Sequence, residues 1–213
     1  MDFSPEVTEK FLEPGKPVDL LNMDTILAAE FNYAAQTAFQ ANEDRARVTS
    51  FYLVTVGSFL AAILSTQFIS APGELIYGGF SVLFLVISLM GIITLLQLVR
   101  LRSAWHESVQ AMNQVKEFYI RNTPNYPLQD AFRWRSDSIP PRLKTSSISF
   151  LLALEICLLG SFMFGAAVAF LILAVNGQAL WWSILAGLVF LIFQMALYAA
   201  VLRDSKAQTK GAG

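Results

Sequence analysis

The stretch VTSFYLVTVGSFLAAILSTQFISAPGELIYGGFSVLFLVISLMGIITLLQLV, residues 48–99, carries a single charged residue, Glu74. A bilayer's hydrocarbon core is about 30 Å thick and is crossed by about 20 apolar residues in helical form. The stretch is therefore too long for one crossing, and Ser70, Ala71, Pro72 and Gly73 interrupt it near its centre. Two spans follow, at about 48–69 and 76–99, joined as a tight hairpin. A second apolar region extends from Thr145 to Leu202 with Glu155 as its only charge. Asn176, Gly177 and Gln178 divide it into spans at about 147–175 and 180–202.

Composition agrees with this reading. The chain of 213 residues is 55% hydrophobic and 15% charged, whereas soluble domains carry about 25% charge. Expected is an all-α polytopic membrane protein with four transmembrane helices. A net charge of −1 gives no basic footprint for nucleic acid. Nine acids and four bases precede residue 48 without an apolar segment among them, so a cleavable signal peptide is not expected.

The 15 bases divide as four before the first span, eight between spans two and three, and three after the fourth. The two short connections on the opposite side have none. The positive-inside rule then puts both termini in the cytoplasm, with Arg45, Arg47, Arg100, Arg102, Arg142, Lys144 and Arg203 close to the spans.

Outside the spans, residues 1–21 are acidic and weakly structured. From Asn22 a helical pattern (Leu27, Phe31, Ala35, Ala38, Phe39) enters span one without a break, and Trp105, Val109, Met112, Val115 and Tyr119 continue span two as far as Asn122. Residues 22–122 thus read as a hairpin extended into the cytoplasm. Its apolar stripes, with Phe31, Phe39, Trp105, Val109, Met112 and Tyr119 as assembly residues, face each other or neighbouring subunits. Residues 123–146 hold four prolines and are expected to form a loop, in which Arg133, Trp134 and Arg135 suit anionic headgroups, the alternative being a solvated or subunit-contacting loop. Residues 203–213 form a tail.

Glu155 is the most unusual residue, because a carboxylate within a span is costly and rarely faces lipid. Gln194, Thr94 and Gln97 lie at comparable depth, and the four are expected to form an intramembrane polar layer. Three readings stay open: a protonated lock between helices, an ion or proton pathway, and a headgroup contact. Small residues recur at four-residue spacing as Gly57, Ala61 and Ser65, as Ser161, Gly165 and Ala169, and as Ser183 and Gly187, which permits close helix packing within or between chains. His106 is the only histidine and Cys157 the only cysteine, and no nucleophile, metal or phosphate-binding motif accompanies them. The reading is non-enzymatic and without a cofactor.

Glu30, Tyr33, the run Ala41, Asn42, Glu43, Asp44, Arg45, Ala46 and Arg47, the two-span hairpin and the segment from Trp105 to Tyr119 follow an order that resembles the RipA-type bacterial membrane proteins. The first half is also similar in layout to SLATT-type two-span modules. The likeness covers about residues 24–122. It implies a homo-oligomer, an octamer, in a bacterial cytoplasmic membrane, and for the SLATT likeness a pore-forming role. Expected from all of this is a scaffolding homo-oligomer that meets itself and membrane lipids, the alternative being an oligomeric channel with Glu155 in its polar layer.

Overall fold

A computed structural model describes residues 23–66, 73–122, 132, 139–141, 143–175, 177 and 181–210, the side chains of 66 and 204–210 excepted. Four helices account for nearly all of them: α1 (Met23–Thr66), α2 (Gly73–Asn122), α3 (Ile148–Ala174) and α4 (Trp181–Lys210). Each holds a stretch long and apolar enough to cross a membrane. The protein is an all-α, multi-pass membrane protein, as the charge-free runs predict. Helices are the form in which a chain can satisfy its own backbone hydrogen bonds in hydrocarbon.

The helix ends have local causes. Ser147 caps α3 by accepting the Phe150 N–H at 3.3 Å while its own hydroxyl donates to the Lys144 carbonyl at 2.7 Å. α3 begins one residue after the expected start of span three. α4 continues to Lys210, through most of the segment read as a tail. At 44 and 50 residues, α1 and α2 are about 66 and 75 Å long, more than twice the hydrocarbon thickness.

α2 is the central element, packing along α1 and α3 and touching α4, while α4 rests mainly on α3. Exposed Val82, Leu85, Val86, Leu89 and Ile93 on α2, and Ile184, Leu188, Val189 and Ile192 on α4, present the outer surface expected of helices solvated by lipid. Away from the basic end, Phe170 of α3 stacks on Phe84 at 5.4 Å and meets Phe80 edge-on at 5.4 Å, closing the α2–α3 seam. Ser81 Oγ donates across that seam to the Ala167 carbonyl at 2.8 Å.

Beyond the span, the buried stripe of α1 is Ala34, Ala38, Ala41 and Arg45, continuing as Thr49, Tyr52 and Val56. Alanines at three- and four-residue spacing let α1 lie close to the half-buried Trp105, Val109 and Met112 of α2. Phe31 is half-buried beneath Lys116, whose Nζ is 5.8 Å from the ring, and Tyr119 Oη donates to Asp24 at 3.1 Å. Phe39 does not join the seam: it is 65% exposed, because the buried stripe passes through Ala38 and the next residue turns about 100° away.

Two of the three small-residue faces meet each other. A β-carbon on Gly165 would lie 3.0 Å from the Ser183 carbonyl oxygen and 3.7 Å from Gly187 Cα; one on Gly187 would lie 3.1 Å from the Ser161 carbonyl oxygen. Ser161 and Gly165 of α3 therefore oppose Ser183 and Gly187 of α4, with Ala169 lining the same groove. Gly57 has open space around it, and Ala61 and Ser65 are exposed on the same helix. Gly165→Leu should lower the unfolding free energy of the subunit in detergent by about 1–3 kcal/mol, the range for overpacking. Gly57→Leu should leave that value within about 0.5 kcal/mol, as exposed substitutions do. Thermal unfolding of the two variants checks the contrast.

Candidate functional site

The interior is most polar at the end that carries the basic residues. Arg45 of α1 and Arg102 of α2 are 7% and 6% exposed. Both point their Nη1 at one acceptor, Ser149 Oγ near the start of α3, with the Arg102 contact at 3.5 Å. Arg45 Nη2 also donates to Asn42 Oδ1 at 3.0 Å, and the Arg102 guanidinium lies 4.9 Å from the Trp105 ring centroid. The two Nη1 atoms stand within about 6 Å of each other, where like charges repel by about 3 kcal/mol at an effective dielectric of about 20. Burial first, then the Arg102 charge, pull the Arg45 guanidinium below its ordinary pKa, with Tyr198 acting in the opposite direction.

Farther into the membrane, all four helices converge on a glycine pair. A β-carbon at Gly91 of α2 would lie 3.5 Å from Gly160 Cα of α3 and 2.8 Å from Tyr52 Oη of α1. One at Gly160 would lie 2.8 Å from Gln194 Nε2 of α4. Gln194, fully buried, accepts the Ser161 hydroxyl through Oε1 at 3.2 Å, and the same hydroxyl approaches the Cys157 carbonyl at 2.6 Å. Thr49 Oγ1, Tyr52 Oη, Ser88 Oγ, Gln194 Nε2 and Arg45 Nε are buried without a hydrogen-bond partner among the described residues. Polar groups in that condition are uncommon in protein interiors.

The expected four-residue polar layer is not assembled. Gln194 is at the centre of the bundle, and Thr94 is buried with its hydroxyl turned back to the Met90 carbonyl at 2.9 Å. Glu155 and Gln97 are both exposed. The reason is helical phase: Ala153, Ile156, Cys157 and Gly160 form the buried face of α3, and Glu155 falls outside it. Among the described residues Glu155 makes no hydrogen bond or ion pair. Gln97 lines a groove of about 370 Å³ between α1 and α2 with Arg47, Val48, Phe51, Met90, Ile93 and Thr94. Arg133, Trp134 and Arg135 lie outside the described residues.

The sequence pattern marks Arg45 and Arg102 only as orientation charges and gives no role to Tyr52 or Ser149. A signal was present: Arg45 and Tyr52 both fall on the stripe that Ala34, Ala38 and Ala41 begin. Among the described residues no three His, Cys, Asp or Glu side chains gather where a metal could bind.

An all-helical multi-pass bundle whose interior, among the described residues, is rich in donors and holds no buried carboxylate is the class that these features define. Neither family models nor curated proteins nor solved structures match the chain, and nothing in those comparisons identifies a RipA-type or SLATT-type family. Tyr52→Phe should leave stability unchanged or raise it by up to about 1 kcal/mol, since it deletes an unpartnered hydroxyl. Gln194→Ala should cost about 2–4 kcal/mol through the cavity it opens at the crossing. Denaturant titrations in detergent read both.

Proposed function

We propose that this protein is a homo-oligomeric membrane scaffold in which subunits join head to tail, one copy's Glu155 face entering the next copy's α1–α2 groove. The observation that carries the reading is Glu155 itself, exposed within a span and without a hydrogen bond or ion pair among the described residues. Intramembrane carboxylates almost always face a bundle interior, a partner or a water-filled cavity rather than lipid. A second subunit supplies the missing environment.

Depth matching supports the choice of partner surface. Arg45 and Arg102 meet at Ser149, which fixes the relative height of the first three helices. Glu155 is six residues along α3 from Ser149, about 9 Å. Six residues along α1 from Arg45 comes Phe51, and six residues back along α2 from Arg102 comes Leu96, beside Gln97. The groove with Arg47, Thr94 and Gln97 is thus level with Glu155 and offers it a cation and two polar side chains. The exposed Leu151, Leu158 and Phe162 flank Glu155 and match the apolar walls of the groove.

Two different surfaces in contact make a heterologous interface, which closes into a ring when the rotation allows. Eight copies is the number the RipA-type resemblance implies, in a bacterial cytoplasmic membrane with both termini inside. Such a ring would hold the extended α1–α2 hairpins as a circle of stalks. The pore reading has less support. Tyr52, Ile87, Leu95, Ile156 and Met163 fill the interior of one subunit, so a conduit would run between copies.

Paired cysteines test the interface. In a Cys157→Ala background, Gln97→Cys together with Glu155→Cys should yield a ladder of covalent multimers in native membranes on oxidation. Either single cysteine should yield none, and the two singles co-expressed should stop at dimers. Absence of a ladder, with a monomeric mass for the gently solubilised protein, would overturn the proposal.

A further inference from the structure

The groove between α1 and α2 has a cationic mouth and an apolar throat. We propose that it binds one anionic phospholipid from the leaflet at the basic end, with the phosphate between Arg47 and Arg100 and an acyl chain along the groove, and that this lipid competes with the neighbouring subunit's Glu155. The competition rests on the assembly reading, whereas the lipid site stands without it.

Arg47 and Arg100 are the charged residues that close the stretch 48–99 at its two ends, so each stands where a span meets its headgroups. Their heights coincide. Arg45 and Arg102 both reach Ser149; Arg47 is two residues along α1 from the first and Arg100 two residues back along α2 from the second, an equal displacement of about 3 Å. Their faces coincide as well. Arg47 lines the groove, as do Ile93 and Gln97, and Arg100 follows those two at four- and three-residue spacing, which keeps it on the same side of α2. Both arginines are exposed. Arg47 meets Asp44 only at 3.8 Å, with 80% of its own side chain open, and an exposed pair of that kind yields readily to another acceptor. Packed helices lie about 8–10 Å apart, so a phosphate between the two can accept from both guanidinium forks.

Depth divides the groove as it divides a phospholipid. Gln97 is three residues below Arg100, about 4.5 Å deeper, at the level of the glycerol esters, whose carbonyls accept from its amide. Deeper still, Phe51, Met90 and Ile93 supply apolar walls, and the groove of about 370 Å³ falls in the range of about 300–1,000 Å³ usual for ligand sites. Two cations at the mouth select a lipid of net negative charge, because a zwitterionic lipid brings an ammonium group of its own to the same place. A soluble anion would use the mouth and leave the walls unused. Glu155 of a neighbouring copy arrives at the level of Phe51 and Gln97, so its helix face and an acyl chain require the same volume, and its carboxylate and the phosphate require the same Arg47. A subunit holding lipid in the groove cannot receive a neighbour there, which makes the anionic lipid content of the membrane a control on assembly.

The test uses the full chain purified in a neutral detergent and stripped of lipid. Native mass spectrometry during titration with phosphatidylglycerol should show one lipid retained per monomer, with phosphatidylcholine held more weakly. Arg100→Gln, a change at an exposed position that leaves the fold intact, should weaken retention about tenfold, as loss of a charge-assisted contact does. Arg203→Gln, at an exposed position near the same boundary but on α4, should match the parent. The same spectra give copy number: multimers of the parent should fall as phosphatidylglycerol is added, and those of Arg100→Gln should persist to higher lipid. Equal retention of the two lipids, equal retention by the parent and Arg100→Gln, or displacement of phosphatidylglycerol by millimolar inorganic phosphate would overturn the lipid site. Multimers indifferent to phosphatidylglycerol would overturn the competition while leaving the assembly reading in place. A protein that is monomeric at every lipid concentration yet retains one phosphatidylglycerol through Arg100 would uphold the site and count against assembly alone.

Discussion

The contact between Gly91 of α2 and Gly160 of α3 is the constraint on which the bundle depends. Without side chains there, α2 and α3 come close enough that Tyr52 from α1 and Gln194 from α4 reach the same spot from opposite sides. Any larger residue would displace a neighbour from another helix. This fixes the mutual height of four helices at one level, and the remaining contacts follow in register: Gln194 with Ser161 beside it, Ser81 with Ala167 on one side, and Arg45 and Arg102 with Ser149 on the other. Dispersion and close approach, rather than hydrophobic exclusion, drive such packing in lipid. The glycines therefore contribute more by what they admit than by what they bury.

The small-residue faces separate into two roles on this basis. Ser161 and Gly165 with Ser183 and Gly187 hold α3 and α4 together within a subunit. The face of Gly57, Ala61 and Ser65 stays open among the described residues. Sequence spacing alone treats all three alike, since close approach needs small residues whichever helix is the partner.

Legibility in the sequence follows the same physics. The spans were readable because a charge inside hydrocarbon is costly, so runs free of charge mark helices almost by themselves. The extension of α1 and α2 past the membrane was readable from apolar recurrence without a breaker. The phase of each helix was not. In a soluble helix the polar face reveals the buried one, but in lipid both faces are apolar and the signal disappears. Glu155 illustrates the loss: its rarity marked it correctly as unusual, while nothing in the one-dimensional pattern tells that Ile156 and Cys157, not Glu155, turn inward. Phe39 misleads for the complementary reason, because size suggested a core residue where Ala38 fills the narrow seam. Arg45 was hidden by a general rule, the counting of bases for orientation, that takes no account of where a base points.

α1 runs without interruption from its buried contact at Arg45 to Met23, about 33 Å at helical rise. A helix without a hinge behaves as a lever, and its fulcrum here is the crossing at Tyr52. Spans adjust to bilayer thickness by tilting, and a tilt of about 10° about Tyr52, about 44 Å from Met23 at helical rise, would carry the far end sideways by about 8 Å. The length of the arm thus magnifies at the hairpin tip any change of tilt set at the crossing.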